Sequence, residues 1–308
     1  MKRAKVTIVG SINCDLSFAV ADFPKPHETI LANSSSLSLG GKGLNQAIAA
    51  ACAGADTAMI GSVGNDTFGD KAKAYARGHG VNLAGLKTVS DTPTGTAGIL
   101  VTRAGENMII VSPGANACLL ADDVLANRAL IETTDIVLAQ LECPAKAVRT
   151  ALDLARAGNV YSILNPAPAT PEAQGLIACA DLITPNECES EAITGIFPQD
   201  APSAEQAAQA LCALGAKDVL ITMGAMGYYL FSNGQGCLHS AFDITAIDPT
   251  GAGDVFNGVL ARLLGAGRTL EEAARYASAA GAMSVRHTGA ERAAPELADI
   301  EAFLAQNA

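Results

Sequence analysis

Tryptophan is absent from this 308-residue chain, and basic residues are few: 20 Lys and Arg stand against 31 Asp and Glu, for a net charge of −11. A surface that binds nucleic acid or an anionic membrane non-specifically needs an excess of positive charge. We therefore expect neither nucleic acid nor a membrane as a partner. A small anionic ligand stays possible, because a helix N-terminus and a few local donors can outweigh the net charge.

Long apolar runs are also missing, since no segment offers the roughly 18 uninterrupted apolar residues of a membrane-spanning helix. The opening Met1-Lys2-Arg3 could begin a signal peptide, but the apolar run after it ends at Asn13 and Asp15. Eight cysteines are present, yet none forms a C-x-x-C pair. In a chain of this length they are typical of reduced, mostly buried thiols. The sequence therefore predicts a soluble, cytoplasmic protein.

Two common phosphate-binding motifs are absent. The chain contains no G-x-x-x-x-G-K-[ST], and no G-x-G-x-x-G follows its first apolar run. The first absence excludes a standard phosphate loop, and the second weakens a dinucleotide-dependent oxidoreductase as an interpretation.

What is present indicates an α/β fold. A buried strand is predicted at residues 6–10, and from residue 134 onward strand-like and helical patterns alternate. The strand-like runs cover residues 135–138, 160–164, 181–183 and 219–222, and the helical patterns cover residues 145–157, 187–194 and 204–214. This alternation predicts a parallel sheet covered on both faces, with ligands beyond the carboxyl ends of its strands. The polar and glycine residues that follow the predicted strands are Asn13, Asp15, Asn165, Asn186 and Gly224.

Two segments have a different pattern. Apolar residues alternate with polar ones over residues 15–39 and 97–111, which indicates short strands of a separate small sheet. No low-complexity linker, charge block or internal repeat divides the chain. We therefore expect one domain over residues 1–308, with the two segments forming the small sheet.

The segment from Asp248 to Asp254, D-P-T-G-A-G-D, precedes an apolar-periodic helix at 255–264. Gly251 and Gly253 leave backbone N–H groups unshielded at this helix N-terminus, where partial positive charge favours an anion. Asp254, in the first turn, could accept a proton from an attacking hydroxyl. The alternative is that Asp254 only caps the helix and the glycines only form a loop.

A set of motifs resembles the ribokinase (PfkB) family of carbohydrate kinases in order and spacing. The motifs are Gly10-Ser11-Ile12-Asn13-Cys14-Asp15, Gly40-Gly41-Lys42-Gly43-Leu44-Asn45-Gln46, Gly114-Ala115-Asn116, Gln140-Leu141-Glu142, Asn165-Pro166-Ala167-Pro168-Ala169, Asn186-Glu187-Cys188-Glu189 and Gly251-Ala252-Gly253-Asp254. The resemblance spans nearly the whole chain. It implies a ribokinase-like three-layer α/β/α fold with a mostly parallel central sheet and a small β-sheet lid.

The resemblance also implies ATP-dependent phosphorylation of the primary hydroxyl of a small sugar, D-ribose first, to give D-ribose 5-phosphate. Asp254 would be the general base, and Gly251, Ala252 and Gly253 would form the anion hole. The implied sugar-binding residues are Asn13, Asp15, Gly41, Lys42, Asn45, Glu142 and Asp254. Carboxylates, amides and an ammonium group suit a polyol, because together they accept from and donate to hydroxyls.

For the nucleotide and the cations, the resemblance implies three further sets. The nucleotide-binding residues would be Asn186, Thr222, Gly224, Gly227, Gly253 and Ser278. Asn186 and Glu189 match the N-x-x-E motif expected to organise Mg²⁺, through water. Potassium would lie in a loop formed by Asp248, Thr250, Ser284, His287 and Gly289.

Three residues depart from the family's pattern. Pro249 stands where relatives usually have Thr, which removes one N–H donor. Ala293 stands where a hydroxyl is expected to reach the monovalent cation. His27 stands where the family usually has Gly, and histidine adopts a positive φ less readily.

Exposed strand edges of the lid are a natural contact between two copies, so we expect a homodimer. Three alternatives remain open. The first is a kinase that acts on deoxyribose, a nucleoside or a ketose. The second is a non-catalytic sensor of sugar or nucleotide, and the third and weakest is the oxidoreductase. Taken singly, Asn13 and Asp15 could be turn formers and Asn186 a helix cap.

Overall fold

The computed structural model describes residues 2–103, 106–286 and 294–307, and the backbone alone at Asn107. The strands are β1 (Lys5–Val9), β2 (Asn13–Ala19), β3 (Ser34–Gly40), β4 (Asp56–Gly64), β5 (Asn82–Val89), β6 (Gly95–Val101), β7 (Asn107–Ser112), β8 (Ile136–Ala139), β9 (Tyr161–Leu164), β10 (Leu182–Ile183), β11 (Asp218–Thr222), β12 (Tyr228–Ser232) and β13 (Gln235–His239). The helices are α1 (Lys42–Cys52), α2 (Thr67–Gly78), α3 (Ala121–Ala126), α4 (Arg128–Glu132), α5 (Ala145–Ala157), α6 (Gln174–Ile177), α7 (Glu187–Thr194), α8 (Ala201–Ala213), α9 (Ala252–Gly265), α10 (Leu270–Ser284) and α11 (Leu297–Gln306).

Nine strands form the large sheet, in the order β13-β12-β11-β10-β9-β8-β1-β4-β5. Its strands pair in parallel except at one edge, where β12 pairs antiparallel to β11 and to β13. The predicted mostly parallel sheet is therefore confirmed.

Two apolar cores cover the two faces of this sheet. Along β8, Ile136 and Leu138 point into the core that α1, α2, α9, α10 and α11 cover. Val137 and Ala139, between and after them, point into the core under the helices from α3 to α8. Successive side chains of a strand face opposite ways, so a strand that is apolar throughout must be buried on both sides. The result is the expected three-layer α/β/α arrangement.

A small sheet is separate from the large one and has the order β3-β2-β6-β7. Its strand β2 pairs antiparallel with β3 and parallel with β6, and β7 pairs antiparallel with β6 at the free edge. The two segments with period-two patterning do form this sheet. Between β2 and β3, His27 adopts a φ of 68°, in the left-handed region expected where the family has glycine.

Helices α1 and α9 approach closely because small residues meet at their contact. A Cβ atom at Gly258 of α9 would lie 2.5 Å from the backbone oxygen of Gln46 and 2.6 Å from Cβ of Ala49 on α1. Real Cβ atoms do not come that near, so any side chain at 258 would push the two helices apart. This contact fixes how α1 lies against the N-terminal half of α9.

The structure describes all eight cysteines, and none of them is in a disulfide bond; three are buried, and Cys188 and Cys237 are exposed. Within the described ranges, no helix combines the length and the apolar character that crossing a membrane would require.

Candidate active site

Polar residues from neighbouring strands meet at the carboxyl edge of the large sheet, as the sequence predicts. Gln140 and Glu142 follow β8, Asn165 follows β9, Asn186 follows β10 and Gly224 follows β11. Carboxyl ends of parallel strands lie at one edge, so these side chains share one region although more than 80 residues separate the first from the last.

Asn13 and Asp15 follow the first strand, as expected, and both lie in β2, which begins the small sheet two residues before the predicted segment 15–39. Asn13 is buried and accepts a 2.8 Å hydrogen bond on Oδ1 from Nδ2 of Asn116. The side chain of Asp15 lies over Gly40, in the space that a Cβ atom at position 40 would occupy. Both residues therefore belong to the small sheet, at its junction with the large one.

Glu142 joins three segments of the predicted sugar site. Its Oε2 accepts a 2.5 Å hydrogen bond from Oγ of Ser11 and a 3.1 Å bond from the backbone N–H of Lys42. Gly41, immediately before Lys42, is the N-cap of α1 and is buried. Gly41, Lys42 and Glu142 therefore lie together, as predicted.

Asp254 is buried in the first turn of α9, and both of its carboxylate oxygens have an amide donor. Asn45 donates from Nδ2 to Oδ2 over 3.0 Å, and Gln46 donates from Nε2 to Oδ1 over 3.0 Å. Burial raises the pKa of Asp254, and the positive charge of Lys42 and the two amide donors offset part of this effect. The net pKa lies above the ordinary value, which suits a group that must take up a proton.

Lys42 provides the positive charge among the carboxylates of Asp254, Glu142 and Glu189. Burial lowers the pKa of Lys42, but the negative charges of Asp254, Glu142 and Glu189 outweigh that effect and raise its net pKa. Its ammonium group therefore stays charged and balances carboxylates that come from three different elements.

The N-x-x-E motif forms a reciprocal cap at the start of α7. Asn186 Oδ1 accepts from the backbone N–H of Glu189 over 2.8 Å, and Glu189 Oε2 accepts from the backbone N–H of Asn186 over 2.9 Å. Burial raises the pKa of Glu189, although the Asn186 bond and Lys42 act in the opposite direction. Asn186 therefore does cap the helix, as one interpretation of the sequence has it. The carboxylate of Glu189 also lies near enough to Lys42 to feel its charge.

A cavity of about 640 Å³ lies between the start of α7, at Asn186, and the start of α9, at Gly253. All six predicted nucleotide-binding residues line it: Asn186, Thr222, Gly224, Gly227, Gly253 and Ser278. One wall comes from residues 241–246, including Phe242, which the sequence did not single out because this segment has no regular apolar period.

The N-terminus of α9 closes one side of the cavity. Gly251 is the N-cap, and Ala252 and Gly253 line the cavity wall. The N–H of Ala252 donates to the backbone oxygen of Pro249 over 3.2 Å. Gly253 and Asp254 are consecutive, so the cavity and the buried carboxylate meet at this helix turn.

Only part of the predicted monovalent cation loop lies in the described residues. The backbone N–H groups of Ile247 and Asp248 donate to the oxygen of Val285, and Asp248 Oδ1 accepts from the N–H of Thr250 over 2.9 Å. Ser284 is buried and donates its hydroxyl to the oxygen of Gly281. The 247–250 segment and the end of α10 therefore touch. His287, Gly289 and Ala293 lie outside the described residues.

Several buried amides near Asp254 were missed as functional candidates. Gln46, Gln140 and Asn165 are part of the motifs that the sequence singles out, but no role is predicted for them. Asn257 lies in the helix predicted at 255–264, also without a role. The signal was present in the pattern, because Gln46 and Asn257 interrupt otherwise apolar faces of α1 and α9.

Comparisons with known proteins agree with this geometry. The profile of the pfkB family carbohydrate kinases matches residues 3–297. A ribokinase from Haemophilus influenzae is 38% identical over 302 residues, covering 98% of this chain and 99% of that protein. A deoxyribokinase from Salmonella typhi is 30% identical over 303 residues, covering 98% and 99%. The structure of Arabidopsis thaliana ribokinase complexed with ribose and ATP matches with a TM-score of 0.91 at 30% identity, covering 98% of this chain and 99% of that one.

Proposed function

Because this chain belongs to the PfkB family of carbohydrate kinases, we propose that it transfers the γ-phosphoryl group of ATP to the primary hydroxyl of D-ribose. The products are D-ribose 5-phosphate and ADP. One observation carries the proposal: Gly253 lines the cavity, and the next residue, Asp254, contacts Asn45. Asn45 belongs to the set of sugar-binding candidates, which we call the polar group. A phosphate in the cavity and a sugar in the polar group would therefore meet at one helix turn.

The polar group is the sugar site in this proposal. Asn13, Asp15, Gly41, Lys42, Asn45 and Glu142 would bind ribose hydroxyls. Buried amides and carboxylates reject an analogue that lacks one hydroxyl, because a site group is then left without a partner. Both the Haemophilus influenzae ribokinase and the Arabidopsis thaliana ribokinase–ribose–ATP structure support ribose as the sugar.

Asp254 is the general base. It takes the proton of the sugar hydroxyl while that oxygen bonds to the γ-phosphorus, and the bond from this phosphorus to the ADP oxygen breaks. The positive end of α9, at Gly251 to Gly253, would stabilise the charge that develops on the phosphoryl oxygens, while the N–H of Ala252 donates to Pro249. Lys42, near Asp254, adds a positive charge on the same side.

ATP would occupy the 640 Å³ cavity, with Thr222, Gly224 and Gly227 near its phosphates and Ser278 near its base. Asn186 and Glu189 provide hard oxygen atoms of the kind Mg²⁺ prefers, and their mutual hydrogen bonds suit contact through water. When bound, Mg²⁺ would neutralise phosphate charge. Asp248, Thr250 and the end of α10 could hold K⁺, whose charge would support the geometry of the α9 N-terminus.

The remaining features fit one kinase domain over residues 1–308 in which the small sheet is the lid. Closure of a lid over the sugar excludes water and so directs transfer to the sugar. The free edge strand β7 exposes four consecutive apolar residues, 108–111, which supports a homodimer through the lids. Free thiols and the use of ATP agree with a cytoplasmic enzyme.

The test is ADP release from MgATP by the purified chain against ribose, deoxyribose, nucleosides and ketoses, each with KCl and with choline chloride. We expect release that depends on ribose and is faster with K⁺. A preference for deoxyribose, which the Salmonella typhi relative makes the main alternative, would reassign the sugar. No release with any acceptor, despite ATP binding by calorimetry, would favour a sensor and contradict the proposal.

A further inference from the structure

Three buried amide side chains lie behind Asp254, and the proposed function gives them no ligand. Gln46 and Gln140 are fully buried, and Asn165 is 6% exposed. They come from α1 and from the ends of β8 and β9. Burying an amide is unfavourable unless its polar atoms are bonded, so three together at this place require a reason.

Their hydrogen bonds have a direction that one backbone atom fixes. Asn165 donates from Nδ2 to the backbone oxygen of Thr184 over 2.8 Å, and a backbone oxygen can only accept. Oδ1 of Asn165 must therefore face Gln46 and accept from its Nε2, over 3.1 Å.

The same constraint passes on to Asp254. Because Gln46 presents its NH₂ group to Asn165, the same NH₂ group donates to Asp254 Oδ1 over 3.0 Å. The oxygen of Gln46 then needs a donor, and Nε2 of Gln140 provides it. Each amide can be oriented in only one way, and the final bond of the chain is a donation to the carboxylate.

A second arm of the network holds the helix turn on which Asp254 lies. Thr184 donates its hydroxyl to Oδ1 of Asn257 over 2.6 Å, and Asn257 donates from Nδ2 to the backbone oxygen of Gly253 over 2.8 Å. The ends of three neighbouring strands thus orient both the carboxylate and the backbone just before it.

We propose that Gln46 is a positioning residue for the phosphoryl transfer, which binds Oδ1 of Asp254 on its interior side and leaves Oδ2 to accept the proton of the sugar hydroxyl. This inference rests on the proposed function. Oδ2 contacts Asn45, which is only partly buried and belongs to the sugar set, whereas Oδ1 contacts the fully buried Gln46. Gln140 and Asn165 act through Gln46, by orienting its amide.

The role has a chemical consequence beyond holding the fold. A general base works only when it is ionised, and a donor to a carboxylate stabilises the ionised form. The charged groups that act on Asp254 are Lys42 on α1 and, with negative sign, Glu142 after β8 and Glu189 on α7. Without the Gln46 donor, burial and the two carboxylates favour the protonated and inactive form.

The experiment compares three Gln→Met variants, which change size little and remove the amide. Gln46→Met removes the direct donor, and Gln140→Met removes only the group that orients it. Gln174→Met is the control outside the site. Gln174 lies on α6, and its amide donates to the backbone oxygen of Ile193 on α7. Turnover at saturating ribose and MgATP is measured from pH 5.5 to 9.5, with KM for ribose and the near-UV circular dichroism of each variant.

For Gln46→Met we expect the acidic limb of the turnover profile to move up by about one pH unit, so that turnover at a pH on this limb falls by roughly tenfold. Activity should recover partly at pH 9, and KM for ribose should stay within about twofold of the wild type. Gln140→Met should shift the limb in the same direction by less, and Gln174→Met should not shift it. If Gln46→Met does not fold, the shift in Gln140→Met decides the question.

An unshifted acidic limb in folded Gln46→Met, or an equal loss at every pH, would overturn the inference and leave a purely structural amide. Those outcomes keep the proposed function, because the wild type and Gln174→Met remain active on ribose. A wild type that releases no ADP with any acceptor would overturn both.

Discussion

Asn45 and Asp254 are 209 positions apart, and their side chains touch through a 3.0 Å hydrogen bond from Nδ2 to Oδ2. A residue of the proposed sugar set therefore contacts the proposed base directly. In the proposed function this pair would couple substrate binding to proton removal, and the first prediction follows from it.

Asp254→Asn should lower turnover at least ~10²-fold, because the amide cannot take the proton of the sugar hydroxyl. Ribose binding, measured by calorimetry, should be retained, since the amide has the shape and size of the carboxylate that it replaces. Asn45→Ala should instead raise KM for ribose more than it lowers turnover. Unchanged turnover in Asp254→Asn would remove Asp254 from the mechanism.

Gly227→Ala should weaken ATP binding, because a Cβ atom there would lie 2.0 Å from the backbone oxygen of His239. The loop that lines the cavity would have to move, and we expect KM for ATP to rise at least ~10-fold. The matched control is Gly234→Ala, which has a similar positive φ but no atom within 4 Å of the added carbon. Equal effects of the two variants on KM for ATP would mean that backbone strain causes the change, and not the contact with His239.

Ile110→Lys should convert the proposed homodimer to monomers. Ile110 is 70% exposed on the free edge strand of the small sheet, and a charge buried at a dimer contact without a partner is strongly unfavourable. Light scattering at micromolar concentration should give twice the chain mass of 31.2 kDa for the wild type and for Leu120→Lys, an exposed control away from this sheet. A monomeric wild type would contradict the dimer.

Asp66→Ala should lower the free energy of unfolding by about 1–3 kcal/mol at pH 7. Asp66 caps α2 and accepts bonds from the N–H of Gly69 and from both the N–H and the hydroxyl of Thr94, just before β6. It therefore ties the large sheet to the small one.

The same carboxylate gives this prediction a pH dependence. Burial acts to raise the pKa of Asp66, but its hydrogen bonds outweigh that effect and hold the pKa below the ordinary value. A depressed pKa contributes stability above the unfolded-state value of about 3.9, and this contribution is lost as the pH falls through the folded-state value. Urea unfolding should show the wild type and Asp66→Ala converging below about pH 4. A gap that stays constant from pH 7 to pH 3 would contradict this.

The fold was largely predictable because apolar runs and their alternation depend on near neighbours in sequence. The helix predicted at 204–214 begins earlier, at Ala201, since Pro202 lies in the first turn, where a proline is tolerated. The first segment of the small sheet is predicted from residue 15, but β2 begins at Asn13, because two strands separated by three residues look like one strand and its turn. Which of two sheets a short strand joins depends on distant partners, here Gly40 and Gly95.

The site was predictable where chemistry repeats as a motif and not where it depends on packing. The six cavity residues and the Asp254 turn follow from motifs. The role of Gln46 does not, although Gln46 ends one of these motifs, because its contact with Asp254 depends on how α9 packs against α1. Residues 241–246 were missed for the opposite reason, since they have no pattern, and only the fold brings them to the cavity wall.

Gly258 touches no part of the proposed ligands, yet Lys42, Asn45 and Gln46 all belong to the helix that it allows to approach. Because these three side chains share one helix, a carbon atom added at 258 would displace all of them together: the ammonium group of Lys42, the sugar-binding amide of Asn45 and the amide of Gln46 that donates to Oδ1. Natural variation should therefore be narrower at this position than its distance from the chemistry suggests.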